Sequence, residues 1–320
     1  MRFLTFDELP ESTDSGRALV NLAAFGSVAE RRGIDLWRRR TSALSDYVGV
    51  FAVEHGIVVG QTFVFRIPFA FPHGTEIVSG LAGVSTRLDR ARSGIAHRIL
   101  DEVHRREREA GIGYCTLWTN RSWGAHRLYE KIGYRDIYTP PIAVRVPDPP
   151  RKSASDRTVR PGRRTDLPEI EALHARFAEG RRGFARRVPG IARVAAAAGE
   201  LRPKEQVLVM VDNGRLSGYA VVDASRNRIV CGELVALSAA RRVSMARSLE
   251  NRAGGAAVVF RDSVVPDLDM WLRRRSYAVA PAGWFGLMGW EIGRTRSSSA
   301  LVREFGTEDP RFLCMSGDRF

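Results

Sequence analysis

Apolar residues recur along this chain at two spacings, and the switches between them lay out an element order. Val48–His55 and Val58–Phe69 read as strands joined by the turn Glu54-His-Gly-Ile57, with Thr75–Ser85 as a third. From Gly94 to Ala110 the spacing becomes three and four. Ile95, Ile99, Leu100 and Val103 share one helical face, and Arg98, Asp101, Glu102 and Arg105 are polar. The apolar run Gly113–Thr119 predicts a buried strand. Ala125, Leu128, Tyr129 and Ile132 place a short helix over Ser122–Ile132, stopped by Gly133. A strand at Met1–Phe6, helices around Ser15–Ala29 and Ile34–Tyr47, and a last strand near Pro140–Val146 complete a mixed α/β half.

The second half repeats the order. From Val159 to His174 the chain reads as strand, loop and helix start, with Thr165 as the N-cap and Glu169 in the first turn. Asp212-Asn-Gly214 joins strands Gln206–Val211 and Leu216–Asp223 as a hairpin. Strand Arg228–Ala236, helix Ala239–Arg252 and strand Gly255–Phe260 lead to Leu268–Tyr277, which stands where Ala125–Tyr134 stands in the first half. Such an internal repeat implies a duplicated domain. The proline-rich, polar stretch 147–157 reads as a linker between domains at 1–146 and 158–320, each of single-domain size.

Composition narrows the function classes. At 320 residues and 44% hydrophobic content the chain suits two globular domains. It has no apolar run of membrane-spanning length and no secretory pattern at its start, so a cytoplasmic protein is expected. Cys115, Cys231 and Cys314 lie too far apart for a disulfide framework or a zinc pattern and are expected as buried thiols; no metal is expected. The formal charge is +14. Its basic residues are arginine except for Lys131, Lys152 and Lys204, and they are scattered rather than clustered. That distribution makes nucleic acid an unlikely partner, while a phosphate-bearing ligand remains favoured.

The segment Asn120–Tyr134 has the pattern Asn-x4-Ala-x2-Leu-Tyr-Glu-Lys-x-Gly-aromatic. It resembles the cofactor-side motif of the GCN5-related N-acetyltransferases, the GNAT superfamily. The opening Arg160-Pro-x4-Asp-Leu-Pro-x-Ile-x-x-Leu173 resembles the first strand and helix of many members. The resemblance implies two GNAT folds in tandem, acetyl-CoA or another acyl-CoA as co-substrate, and a primary amine as acceptor. Arg90-Ala91-Arg92-Ser93-Gly94-Ile95-Ala96 resembles the family's pyrophosphate loop, Gln/Arg-x-x-Gly-x-Gly/Ala. Its first position falls on Ala91 between two arginines, and the loop is about two residues longer than is common in the family. Backbone N–H groups at a helix start suit a diphosphate. The resemblance implies that a backbone N–H around Val84 and Ser85 polarises the thioester carbonyl.

Tyr129 carries a phenol that is protonated at neutral pH, and the resemblance makes it the general acid for the departing thiolate. Packing on the apolar face is its other reading. Asn120 fits either the pantetheine arm or a helix cap. Glu54, Glu76 and His97 are the nearest candidates for a base, and solvated or structural roles suit each of them. In the second half Ser238–Arg247 has no glycine, Leu272 replaces the tyrosine and Ser276 the glycine, so that domain reads as non-catalytic. The tail Arg311–Phe320 is apolar enough for a final strand, and the resemblance to tandem members of the family implies a part in selecting substrate. A silent acyl-CoA-binding or interaction module and an arginine-rich nucleic-acid binder are the competing classes. The acceptor and the oligomeric state, monomer or homodimer, are left open.

Overall fold

A computed structural model describes residues 1–26, 28, 30–40, 44–147, 158–261 and 266–315. In chain order, β1 (Arg2–Thr5) is followed by α1 (Asp14–Phe25) and α2 (Arg31–Arg40). Three long strands come next, β2 (Leu44–Glu54), β3 (Ile57–Phe71) and β4 (Gly74–Thr86). Then come α3 (Ile95–Glu109), β5 (Tyr114–Asn120), α4 (Gly124–Ile132), β6 (Arg135–Tyr138) and β7 (Pro141–Arg145). The second half has β8 (Val159–Pro161), α5 (Leu167–Ala178), the two-residue β9 (Arg182–Gly183), α6 (Ile191–Ala198) and α7 (Pro203–Gln206). It continues with β10 (Val207–Asp212), β11 (Arg215–Ser225), β12 (Arg228–Ala236), α8 (Ala239–Ala253), β13 (Ala257–Arg261), α9 (Pro266–Arg274) and β14 (Ala278–Pro281). Last are β15 (Phe285–Glu291), α10 (Ser298–Phe305) and β16 (Phe312–Leu313).

Two compact units result, one from residues 1–138 and 284–307, the other from 139–283 and 308–319, of which 316–319 are not described. The sheet of the first runs β1-β2-β3-β4-β5-β15-β6. That of the second, read from its far end, runs β8-β10-β11-β12-β13-β7-β14. The orders match position by position, as the repeat predicts. β4 and β5 are parallel, as are β12 and β13.

The sixth strand of each sheet, however, comes from the other half of the sequence. β7, expected to finish the first domain, lies between β13 and β14. β15, for which the sequence analysis has no expectation, lies between β5 and β6. The boundary of 146 and 158 is therefore corrected to this interleaved division, and the linker at 148–157 lies outside the described residues. The local reason is readable afterwards. A tight β6–β7 hairpin needs residues with positive φ, whereas Thr139-Pro140-Pro141 fixes φ negative and removes two N–H donors.

Smaller corrections concern helix ends. The helix expected to run through Tyr47 stops at Arg40, and Leu44–Tyr47 belong to β2. Tyr47 is buried and its hydroxyl donates to Glu107 at 2.6 Å, so a tertiary contact overrides the local pattern. The N-cap of α5 is Asp166 rather than Thr165. Ser27, Ala29 and the tail from Ser316 lie outside the described residues. The three cysteines are buried, as expected.

The core of the first unit lies on both faces of its sheet. On the α3 and α4 side are Leu81, Ile95, Ile99, Leu117, Tyr129, Tyr134 and Trp290. On the α1 side are Val20, Phe51, Val58 and Phe63. A fragment of residues 1–146 is expected to lack a cooperative thermal transition, because β5 and β6 lose the strand that lies between them. Adding a peptide of residues 284–307 should restore one. A fragment that melts cooperatively by itself would show that the exchange is dispensable.

Candidate active site

The first unit opens where two parallel strands part. β4 and β5 pair from Ser79 with Cys115 to Leu81 with Leu117, and no further. β4 continues to Thr86 along β3, and β5 continues to Asn120 along β15. Beyond Leu81 and Leu117 the facing edges are thus unpaired with each other, which leaves backbone donors and acceptors for a ligand. The expected residues Val84 and Ser85 lie on this free stretch of β4.

A bulge aims that stretch. Ala82 pairs with Phe63 and Ser85 with Gln61, so Gly83 and Val84 face Thr62 alone. Gly83 has φ of +62°, and a Cβ there would come within 2.9 Å of the Phe63 ring. Only glycine meets both conditions. The sequence analysis passes over Gly83; an isolated glycine inside an apolar strand was the available signal. Ser85 is buried and its hydroxyl donates to the Gly83 carbonyl at 3.1 Å.

The predicted loop follows. Arg90, Ala91, Arg92, Ser93 and Gly94 are all exposed, while Ile95 is buried and starts α3 with Ala96. Arg92 and Gly94 adopt φ of +62° and +78°. Ser93 donates to the Arg90 carbonyl at 2.6 Å, folding the loop back on itself. Gly94 is the N-cap of α3, no side chain caps the helix, and the space where a Cβ would stand is open. The first-turn N–H groups and the positive helix end therefore face outward, a geometry suited to a diphosphate.

α3 is held against the sheet from beneath. Glu107 is fully buried and accepts from Tyr47, from both Arg66 Nε and Nη2 at 3.3 and 3.2 Å, and from Ser79, where the parallel pairing begins. This ties α3 to β2, β3 and β4 together. Removing Arg66 would strand a buried carboxylate at a cost of about 3–5 kcal/mol. His104, also on α3, lies under Trp290 and bonds the Tyr134 hydroxyl at 2.8 Å; burial, with the charge of Arg108, pushes its pKa down to about 3.

Tyr129 is 6% exposed and belongs to the cluster of Leu81, Leu117 and Ile95, which are the last paired residues of the strands and the first of α3. Burial raises its phenol well above the ordinary tyrosine value, keeping it protonated. Asn120 uses its side-chain oxygen locally, accepting from the Ser122 N–H at 2.9 Å and hydroxyl at 2.7 Å. The N-cap of α4 itself is Trp123. Of the base candidates, Glu54 pairs with Arg90, Glu76 bonds His73 at 2.9 Å, and His97 is exposed beside Asp101 at 3.5 Å. Each is engaged outside the parting of the strands.

The second unit shows the same frame closed. The Leu272 carbonyl accepts from the Tyr277 N–H at 3.0 Å, as the Tyr129 carbonyl does from Tyr134 at 3.1 Å, so Leu272 does replace the tyrosine. Ser276 keeps the left-handed turn at φ +62° without glycine. Ser238 caps α8 by accepting from the Arg241 N–H at 3.3 Å. The Arg242 guanidinium bonds both the Ala236 carbonyl at the end of β12 and Asp267. Farther down β12, Glu233 receives both Arg187 Nη atoms at 2.8 Å and the Tyr219 hydroxyl. Burial raises that carboxyl, and the Arg187 charge and hydrogen bonds outweigh it, holding it near a pKa of about 2.

A family model described as an acetyltransferase (GNAT) domain matches residues 14–137. Residues 14–137 thus match the GNAT acetyltransferase domain. They contain the strand parting, the loop, α3 and Tyr129. Solved structures agree in fold across both units. A conserved protein of unknown function from Enterococcus faecalis V583, titled a "probable N-acyltransferase", has a TM-score of 0.67 at 12% identity, covering 91% of this chain and 72% of its own. A GCN5-related N-acetyltransferase from Anabaena variabilis gives 0.66 at 14%, covering 91% and 73%. One from Kribbella flavida gives 0.63 at 17%, covering 90% and 70%. A search of curated protein sequences finds no match. No helix among the described residues is long and apolar enough to cross a membrane.

With one GNAT helix start open and its counterpart filled by Ser238 and Arg242, calorimetric titration with acetyl-CoA should saturate at one equivalent per chain. Two equivalents would mean that the α8 end opens for ligand.

Proposed function

We propose that the first unit transfers an acyl group, acetyl foremost, from acyl-CoA to a primary amine, and that the second unit has no catalytic role. The observation that carries this reading is the parting of β4 and β5 directly before an uncapped helix start. Acyl-CoA would supply the thioester. The N–H groups of Ile95 and Ala96, with the exposed Arg90 to Gly94 loop, hold its diphosphate. The bulged stretch at Val84 and Ser85 presents backbone N–H to the thioester carbonyl, where negative charge develops. Asn120 borders the arm between them.

As the neutral amine attacks the carbonyl carbon, the carbon–sulfur bond breaks. The sulfur takes the Tyr129 proton, and the phenol is restored by the proton that the amine nitrogen releases to solvent. The burial that raises the phenol also raises the proton affinity of a thiolate beside it, so the transfer stays matched. A purely acyl-CoA-binding module would share the cradle but gain nothing from the phenol. Several arginines sit in local ion pairs, such as Arg105 with Glu102 and Glu109 or Arg160 with Asp166, which supports the small-molecule reading over a nucleic-acid one.

Tyr129→Phe should lower kcat by about 100-fold while leaving the acetyl-CoA Kd unchanged. An unchanged kcat would remove Tyr129 from the chemistry, and turnover absent from the wild-type protein across an amine panel would favour the binding module. Because burial favours the neutral phenol, the wild-type rate should rise with pH as the amine loses its proton and not fall below about pH 10. A falling limb at lower pH that disappears in Tyr129→Phe would contradict the buried-acid assignment.

A further inference from the structure

The first unit contains a cavity of about 510 Å³ that none of these roles uses. It lies where β1 begins and β2 turns into β3, and it reaches Arg90 of the loop. Its walls combine a buried apolar part, Leu4 and Val53, with the exposed Arg2 and the half-buried Glu54. Glu54 is the cavity's one carboxylate, and Arg90 already holds it. Arg2 forms no ion pair among the described residues. Arg2 acts on the Glu8 carboxylate only through its charge, without a direct ion pair, and it stands on the wall of a chamber large enough for a nucleoside-sized group.

We propose that this cavity is a second anion subsite, which takes a phosphate group carried on a small, partly apolar body. Arg2 meets the phosphate, Leu4 and Val53 receive the body, and the Glu54–Arg90 pair connects the cavity to the loop ahead of α3. An arginine presents its donors in a planar fork that suits phosphate oxygens. Arg2 is exposed, so its guanidinium stays hydrated while the cavity is empty and is free to turn its donors to an anion that enters.

Two sources carry this chemistry. One is the outer, phosphorylated adenosine end of coenzyme A; this source rests on the acyl-CoA reading above. The other is a free phosphorylated metabolite. Binding of acetyl-CoA, dephospho-CoA and adenosine 3′,5′-bisphosphate to the full chain would be measured for the wild type, Arg2→Ala and Ser12→Trp. Ser12 is an exposed wall residue, and its replacement fills the cavity without touching the loop.

If coenzyme A is the source, the wild type should prefer acetyl-CoA over dephospho-CoA by about tenfold, and both variants should abolish that preference. If a free metabolite is the source, the bisphosphate should bind alongside acetyl-CoA and lose about tenfold affinity in both variants. The proposal is overturned if all three affinities are the same in the wild type and both variants. Failure of wild-type acetyl-CoA binding altogether would instead sink the acyl-CoA reading, and the bisphosphate arm would still test the cavity.

Discussion

The pairing of β15 with β5 along all seven residues of β5 is the interaction on which the first unit depends. A strand has two edges of backbone donors and acceptors, and burying both unpaired is costly. With β15 satisfying one edge from Tyr114 to Asn120, β5 can leave β4 after Leu117 and remain a strand. Parting is therefore tolerated, and the second edge becomes free for a ligand. β15 also holds β6 on its other side, and α10, which follows it in the chain, donates from Ser298 to the Asp136 carbonyl at 2.5 Å. A segment more than 140 residues away in sequence thus sets the geometry of the cleft.

The two units show how little separates an open helix start from a closed one. Both have the same strand order, a parallel pair and a helix after the bulged strand. In the first, Gly94 gives the helix an N-cap without a side chain; in the second, Ser238 satisfies an N–H and Arg242 covers the end of β12. A capping hydroxyl is worth about 1 kcal/mol to a helix. The first unit forgoes that contribution, and the groups left without partners are the ones a diphosphate would satisfy. Stability is supplied elsewhere, through the Glu107 cluster and the aromatic packing of Tyr134, His104 and Trp290.

Local rules made much of this legible. The spacing of Ile95, Ile99 and Val103 gave α3 to within a residue at each end, and Asp212-Asn-Gly214 gave its hairpin, with Asn213 and Gly214 at φ +48° and +77°. The replacement of Tyr129 by Leu272 was visible as an alignment of the chain with itself. Glu107 was not legible, because a glutamate on a helix of many charges looks solvated until Tyr47, Arg66 and Ser79 are brought around it. Gly83 was missed because its need arises from the Phe63 ring on the neighbouring strand.

Sequence alone determined many of the elements, though not α6, β14, β15 or α10, together with their repeat, the family resemblance and which half keeps a glycine loop and a phenol. These follow from periodicity, caps and residue chemistry, all of which act within a few residues. Only the tertiary structure decided which strand closes which sheet, where β4 and β5 part, and which helix start is left open. Those outcomes depend on backbone edges finding partners across the chain, and such pairing leaves no mark in the local pattern. Pro140-Pro141 forbids the short hairpin but does not say where β7 goes.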